Sequence, residues 1–221
     1  MPQPILTKRQ RQRRQHEEIV EDILTIARQM MLADGVAALS FNAIARQLGM
    51  QPPSLYTYFA SKEAIYDELF RRGFIEFGRR MNERPDADSP LGSNFRSAFV
   101  AYMQFGYENR DLFELMFQRP APGFTPSAAS MAVSLGQLAE SRRQLSEALA
   151  QVGGSLPITV DEAGDLVIAM MYGITAMHLA NNPELPVGEG RFGRLIDQAI
   201  DLFLSAWQVD KGNSSSQGGT K

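Results

Sequence analysis

The sequence predicts an all-α protein of about nine helices, with a small N-terminal three-helix domain followed by a larger C-terminal helical domain. Three observations carry this. Apolar side chains recur three and four residues apart over most of the 221 residues, the spacing of a buried helix face. Helix starts are marked by Ser or Thr cap residues, several followed by proline or glutamate. No stretch shows the strict alternation of a half-buried strand. Hydrophobic residues make up 44% of the chain and charged residues 21%, enough for a core and too little charge for a disordered polyelectrolyte.

Residues 1–15 read as a basic flexible arm. Lys8, Arg9, Arg11, Arg13 and Arg14 place five positive charges within seven residues, with no acid before Glu17. Such a run is either a solvated tail or an arm that lies along phosphates or enters a minor groove. From about residue 16 to Ala33, Ile19, Ile23, Ile26 and Met30 make one apolar stripe, and Gly35 ends it. Ser40 is a good N-cap for a short helix in which Phe41, Ile44, Ala45 and Leu48 share a face, and Gly49 closes that helix. Pro52 suits the first turn of a third helix, where its missing N–H is no loss. Two short helices joined by a brief turn around a glycine form a helix-turn-helix, which assigns residues 16–62 to one domain. In the third helix Leu55 and Phe59 are spaced to bury against the first two. Ser54, Tyr56, Thr57 and Tyr58 are left on other faces, where hydroxyls can donate to phosphates and base edges.

Ser61 caps a fourth, linking helix over residues 63–84, with Ile65, Leu69, Phe74, Phe77 and Met81 on its apolar face. Gly73 and Gly78, each costing about 1 kcal/mol in a helix interior, read as points of close packing. Arg84–Pro85–Asp86–Ala87–Asp88 is the clearest linker. The body, residues 85–209, divides into helices near 90–108, 110–118, 126–152, 160–181 and 190–208. Their starts include Ser89–Pro90, Thr125–Pro126 and the capping box from Thr159 to Glu162. Residues 210–221 are Gly/Ser-rich and read as a disordered tail.

Composition excludes several chemistries. The chain has no cysteine and only two histidines, His16 and His178, far apart. Disulfides, thiol nucleophiles and histidine-rich metal sites are therefore not expected, and no cofactor is implied. There is no glycine-rich phosphate loop and no Gly-x-Ser-x-Gly, so an enzyme is not expected and no catalytic residue is assigned. Asp161, Glu162 and Asp165 read as acids suited to a helix first turn. The N-terminus lacks an apolar signal core and no run of 18 apolar residues occurs, so a cytoplasmic protein with no membrane partner is the expectation. Charge is unevenly spread. Residues 1–84 hold 13 Lys+Arg against 10 Asp+Glu, whereas the rest hold 9 against 15. A basic head on an acidic body says which end meets phosphate.

The residues from Ala45 to Ile65 resemble the DNA-binding signature of the TetR family. The matching positions are Ile44–Ala45, Gly49, Leu55–Tyr56–Thr57–Tyr58–Phe59 and Ser61–Lys62–Glu63. The resemblance implies a homodimer that binds palindromic operator DNA, most often as a repressor, and is released by a small-molecule effector. It also implies that Tyr56, Tyr58 and Lys62 contact phosphates and that Ser40 contacts the DNA backbone. Gln51, Pro52, Ser54 and Thr57 would lie where bases are read. The segment Phe105 to Phe117 is similar to a C-terminal subgroup named for a Trp-His-Gly motif, of which Met171–Tyr172–Gly173 keeps the glycine. A Met and aromatic stripe is ordinarily core. Under the resemblance some of Phe99, Tyr102, Met103, Phe113, Met116, Phe117, Met170, Tyr172 and Met177 line a cavity for an apolar or aromatic ligand. Tyr102, Tyr172 and His178 are the candidate polar anchors. Under the resemblance the last two helices would make the dimer, through Val167, Met170, Met171, Ile174, Met177 and His178 and through Leu195, Ile196, Ala199, Ile200, Phe203 and Trp207; by their residues alone both helices could instead be internal core. The alternative is a DNA-binding regulator with no effector.

Overall fold

The computed structural model describes residues 7–83, 91–118, 120–152 and 158–208, and these are helical with no strand among them. The helices are α1 Lys8–Asp34, α2 Phe41–Gln47, α3 Pro52–Leu55, α4 Lys62–Asn82, α5 Leu91–Glu108, α6 Arg110–Phe113, α7 Ala128–Val152, α8 Val160–Asn181, α9 Gly190–Gly193 and α10 Leu195–Gln208. A 3-10 turn, Val36–Ala38, follows α1, and a π-helical turn, Glu114–Gln118, continues α6. The sequence-predicted linker at 84–88, the Ser89–Pro90 start and the 210–221 tail lie outside the described residues.

Two elements differ from expectation. The first helix begins at Lys8, so residues 8–15 are helix and not a flexible arm. The cause is local. Thr7 and Gln10 form a reciprocal capping box, and Arg13–Glu17 and Arg14–Glu18 pair one turn apart at 2.8 and 2.9 Å. Such pairs add a few tenths of a kcal/mol each. The predicted last helix is broken at Arg194 into α9 and α10. The Gly188 backbone leaves Gly193 no room for a side chain, with the Gly188 carbonyl carbon only 3.0 Å from where a Cβ would stand.

The chain divides into two compact units, and α4 and α7 contribute residues to both. The first comprises Met1–Gly73 and Arg110–Ala132. The head thus takes in 110–132, residues that sequence alone assigns to the body. Its core holds Ile23, Leu24, Ala27 and Met31 of α1, with Ile19, Ile26 and Met30 half-buried at the stripe's edge. Ile44, Ala45, Leu55, Phe59, Ile65, Leu69 and Phe70 complete it. Specific contacts hold 110–132 in this unit. The Arg28 guanidinium donates to both oxygens of Asp111, at 2.6 and 3.0 Å, and the Asp111 side chain is fully buried. Phe124 packs on Tyr66, ring centres 5.4 Å apart. The Tyr66 hydroxyl donates to the Val36 carbonyl at 2.5 Å. A Cβ on Gly73 would come within 2.5 Å of the Met116 sulfur, so the close packing expected at Gly73 is what the structure has.

Asp67 holds the start of α7. It accepts from the Ser127 N–H (2.7 Å), the Ser127 hydroxyl (2.8 Å) and the Ser130 hydroxyl (2.9 Å). Burial pushes this carboxyl up, but those donors and Arg71 outweigh burial and hold it below its ordinary value. A carboxylate with a depressed folded pKa stabilises at pH above its unfolded value and loses that contribution as pH falls through the folded value. Asp67→Ala should therefore cost about 1 kcal/mol at pH 7. In thermal melts of both proteins, the gap should close as pH falls below about 4. A gap that stays constant to pH 2 would mean that the carboxylate charge does not matter.

The second unit comprises Phe74–Asn109 and Val133–Lys221. Here α5 packs against α8 and α10. Phe77 meets Tyr102 and Phe105 edge-on at 5.5 and 5.3 Å. Arg96 pairs with Asp197 at 2.7 Å, and Arg142 with Asp165 at 2.6 Å. The buried face of α8 is Ala163, Gly164, Val167, Met171, Thr175 and His178, and that of α10 is Ile196 and Ile200.

Candidate nucleic-acid interface

The α2–α3 turn is fixed by its glycine. Gly49 has φ 66°, its N–H donates to Arg46, and the Met50 N–H reaches back to Ala45 at 2.8 Å. This paired closure needs a residue that accepts positive φ. It brings Pro52 into position to open α3, which is one turn long and continues as a hydrogen-bonded turn through Tyr58. Leu55 and Phe59 are buried as their spacing predicts. Gln51, Pro53, Ser54, Tyr56 and Thr57 are exposed, and Pro52 and Tyr58 are half-buried.

A groove of about 480 Å³ opens beside this turn. Leu39, Ser40, Phe41, Tyr56, Ala60, Ser61, Lys62 and Glu63 line it. Ser40 caps α2 and Ser61 caps α4, each oxygen accepting from the N–H three residues on at 3.4 Å. The 21-residue α4 points the positive end of its dipole here. Lys62 adds a full charge. Glu63 opposes it, and the Ser61 hydroxyl, its own N–H and Lys62 hold its carboxyl below the ordinary value despite burial. Tyr56 is 60% exposed, and its ring leans on Phe41 with centres 5.0 Å apart. Its hydroxyl is thereby braced at the surface.

Ser40, Tyr56 and Lys62 thus meet on one groove. Tyr58 is not among that groove's lining residues. It stacks on His16 of α1, ring centres 4.9 Å apart and planes 25° from parallel. Nothing in the sequence links these two rings, which are 42 positions apart.

The candidate ligand residues fall in both units. Phe113, Met116 and Phe117 belong to the first, where the two phenylalanine rings meet at 5.1 Å. Phe99, Tyr102, Met103 and His178 are buried in the second, and Met170 and Tyr172 are half-buried there. Burial, then neighbouring Tyr172, push the Tyr102 hydroxyl well above its ordinary value, so it stays protonated. His178 Nε2 lies 3.1 Å from the Leu185 carbonyl. His178 Nδ1 and the Thr175 hydroxyl are buried with no hydrogen-bond partner. Met177 is 45% exposed and faces away from this core. Among the described residues no cluster of three His, Asp or Glu is placed to hold a metal ion.

A helix-turn-helix that brings tyrosine, serine and lysine to one groove has the donors that a phosphate contact needs. The family described as bacterial regulatory proteins, tetR family, matches residues 23–69. Residues 23–69 are thus a domain similar to the DNA-binding domain of that family. An HTH-type transcriptional regulator of Mycobacterium tuberculosis is 27% identical over 111 residues, 49% of this chain and 47% of the relative. The chain's match therefore spans about half the length of the curated relatives. Solved structures extend the likeness of fold. A tetR-family regulatory protein from Rhodococcus RHA1 has a TM-score of 0.67 at 16% identity, covering 86% of this chain and 97% of that one. The regulator FadR of Bacillus subtilis, solved with stearoyl-CoA, has a TM-score of 0.65 at 16% identity, covering 84% and 98%.

Proposed function

We propose that the chain is a ligand-responsive transcriptional repressor in the cytoplasm. It binds palindromic operator DNA as a homodimer and is released by a small apolar or aromatic effector. The observation that carries the DNA reading is the convergence of Ser40, Tyr56 and Lys62 on one groove, with Gln51, Ser54 and Thr57 exposed beside it. Tyr56 and Lys62 hold phosphates, and the exposed side chains of α3 meet base edges.

The test is binding to the chain's own upstream intergenic DNA across a salt series. Tyr56→Ala/Lys62→Ala should weaken binding at least tenfold. It should also flatten the log–log salt slope by about 0.9 for each phosphate no longer neutralised. Equal affinity in the double variant would place the DNA contacts elsewhere.

The homodimer reading rests on what α8 and α10 leave uncovered. Val167, Met171, His178, Ile196 and Ile200 are core, which removes them from the expected interface. Leu166, Met177, Leu195 and Leu202 are exposed instead. α8 is long and apolar enough by composition to cross a membrane, with only 33% of that window buried. One apolar face against its own core and another against a second copy accounts for that composition. Half-sites about 34–36 Å apart call for two heads.

The effector reading is supported by the polar atoms in the second unit's core. Unsatisfied buried groups are costly. The Thr175 hydroxyl and His178 Nδ1, buried without a hydrogen-bond partner, are anchors for a mostly apolar molecule, and Tyr102, whose hydroxyl stays protonated, is a further donor. The similarly folded FadR is solved with stearoyl-CoA, a ligand with a long apolar acyl chain. An effector acts only through different affinity for two arrangements of the heads. α4, with residues in both units, is the proposed transmitter.

A further inference from the structure

The basic run that precedes the head is a continuation of α1, in line with its buried part. Every residue from Lys8 to Glu18 is exposed. Arg13 and Arg14 pair only with Glu17 and Glu18 on their own helix, at 59–82% exposure, and Lys8, Arg9 and Arg11 form no ion pair among the described residues. Exposed pairs of this sort contribute little and exchange readily for another anion.

His16 fixes which side of this extension faces α3. Its ring lies on that of Tyr58, adjacent to the exposed Thr57. At 3.6 residues per turn, Arg9, Gln12 and Arg13 point within about 60° of the direction taken by His16, and Arg9 stands about 10 Å further along the axis. Lys8, Arg11 and Arg14 occupy other sides and raise the positive potential around the stripe. The result is a straight row of donors in register with the reading turn.

We propose that the Arg9–Gln12–Arg13–His16 stripe of α1 is a second DNA-contact surface, gripping phosphates that flank the sequence read by α3. This rests on the DNA-binding reading above. The donors are guanidinium and amide groups on a rigid rod, so the contact is to phosphate oxygens and is indifferent to base identity. Gripping outside the half-site lengthens the footprint at both ends of a palindrome. His16 is a positioning residue in this arrangement. It ties the rod to Tyr58, so the two contacts move together.

The experiment uses full-length protein and a duplex selected by it from a randomised library. Hydroxyl-radical footprints and a salt series compare wild type, Arg9→Gln/Arg13→Gln, and a control that removes the same charge from the body, Arg143→Gln/Arg191→Gln. The stripe variant should lose protection of the outermost phosphates while keeping the inner footprint. Its affinity should fall about tenfold at 0.1 M salt, with a slope flatter by about 0.9 for each phosphate released. The control should change neither. Trimming the duplex to its half-sites should bring wild type down to the variant's level. An unchanged outer footprint in the stripe variant, or equal weakening by the control, would overturn the proposal. Tyr56→Ala/Lys62→Ala, run alongside, separates the two readings. If that variant loses the inner footprint while the stripe variant matches wild type, only the stripe falls. If wild type binds selected and scrambled duplexes alike, the reading head falls and the stripe with it.

Discussion

Arg28→Ala should destabilise the first unit by about 3 kcal/mol. The reason lies in its partner. Asp111 is fully buried and both its oxygens accept from the one guanidinium, whose own side chain is 34% exposed. Removing the arginine strands a carboxylate in the core of the helix-turn-helix unit, 83 positions away in sequence. Replacing both partners with apolar residues, Arg28→Met/Asp111→Leu, should recover most of the loss, because neither leaves a buried charge. Urea denaturation at pH 7 checks both. A loss below 1 kcal/mol for Arg28→Ala would mean that water reaches Asp111 and the pair is as weak as a surface one.

Leu202→Glu should split the proposed homodimer, raising its dissociation constant at least a hundredfold, about 2.7 kcal/mol. Leu202 is 73% exposed in the protomer, so the substitution costs the isolated fold little. In a two-fold interface each subunit would bring one carboxylate into an apolar contact, where an unpaired charge is expensive. Met177→Glu on α8 should act in the same direction. Sedimentation at micromolar concentration reads the outcome, with helical content by circular dichroism as the check on folding. A variant that still sediments as a dimer would show that the exposed faces of α8 and α10 are not where the subunits meet.

The helix plan was legible because its signals are local. Ser40, Gly49 and the Thr159–Glu162 box each act within a turn of where they stand. Of the groove residues, Ser40 was legible through its cap, whereas Tyr56 and Lys62 were singled out by the resemblance of residues 45–65 to a known signature. Contacts between distant positions were not. Arg28–Asp111, Asp67–Ser127 and His16–Tyr58 join residues whose spacing carries no period. The start of α1 was written in Thr7, Gln10 and the Arg–Glu pairs, but the density of positive charge masked it. In α8 sequence did not separate core from exposed face. Both are apolar, and a helix without a polar side has no periodic contrast to read.

The capped start of α1 also decides when disorder is lost. Confining a backbone residue removes about 1–2 kcal/mol of conformational freedom, and for residues 8–15 the Thr7–Gln10 box and the Arg–Glu pairs offset part of that loss within the free protein, beside the helix hydrogen bonds themselves. A floppy basic tail would suffer it on meeting a polyanion, offsetting much of the electrostatic attraction. A rod already formed keeps its attraction intact at encounter. Warming should therefore weaken its grip first by fraying from Lys8 inward, and mutating Thr7 should shorten the rod without touching a single charge.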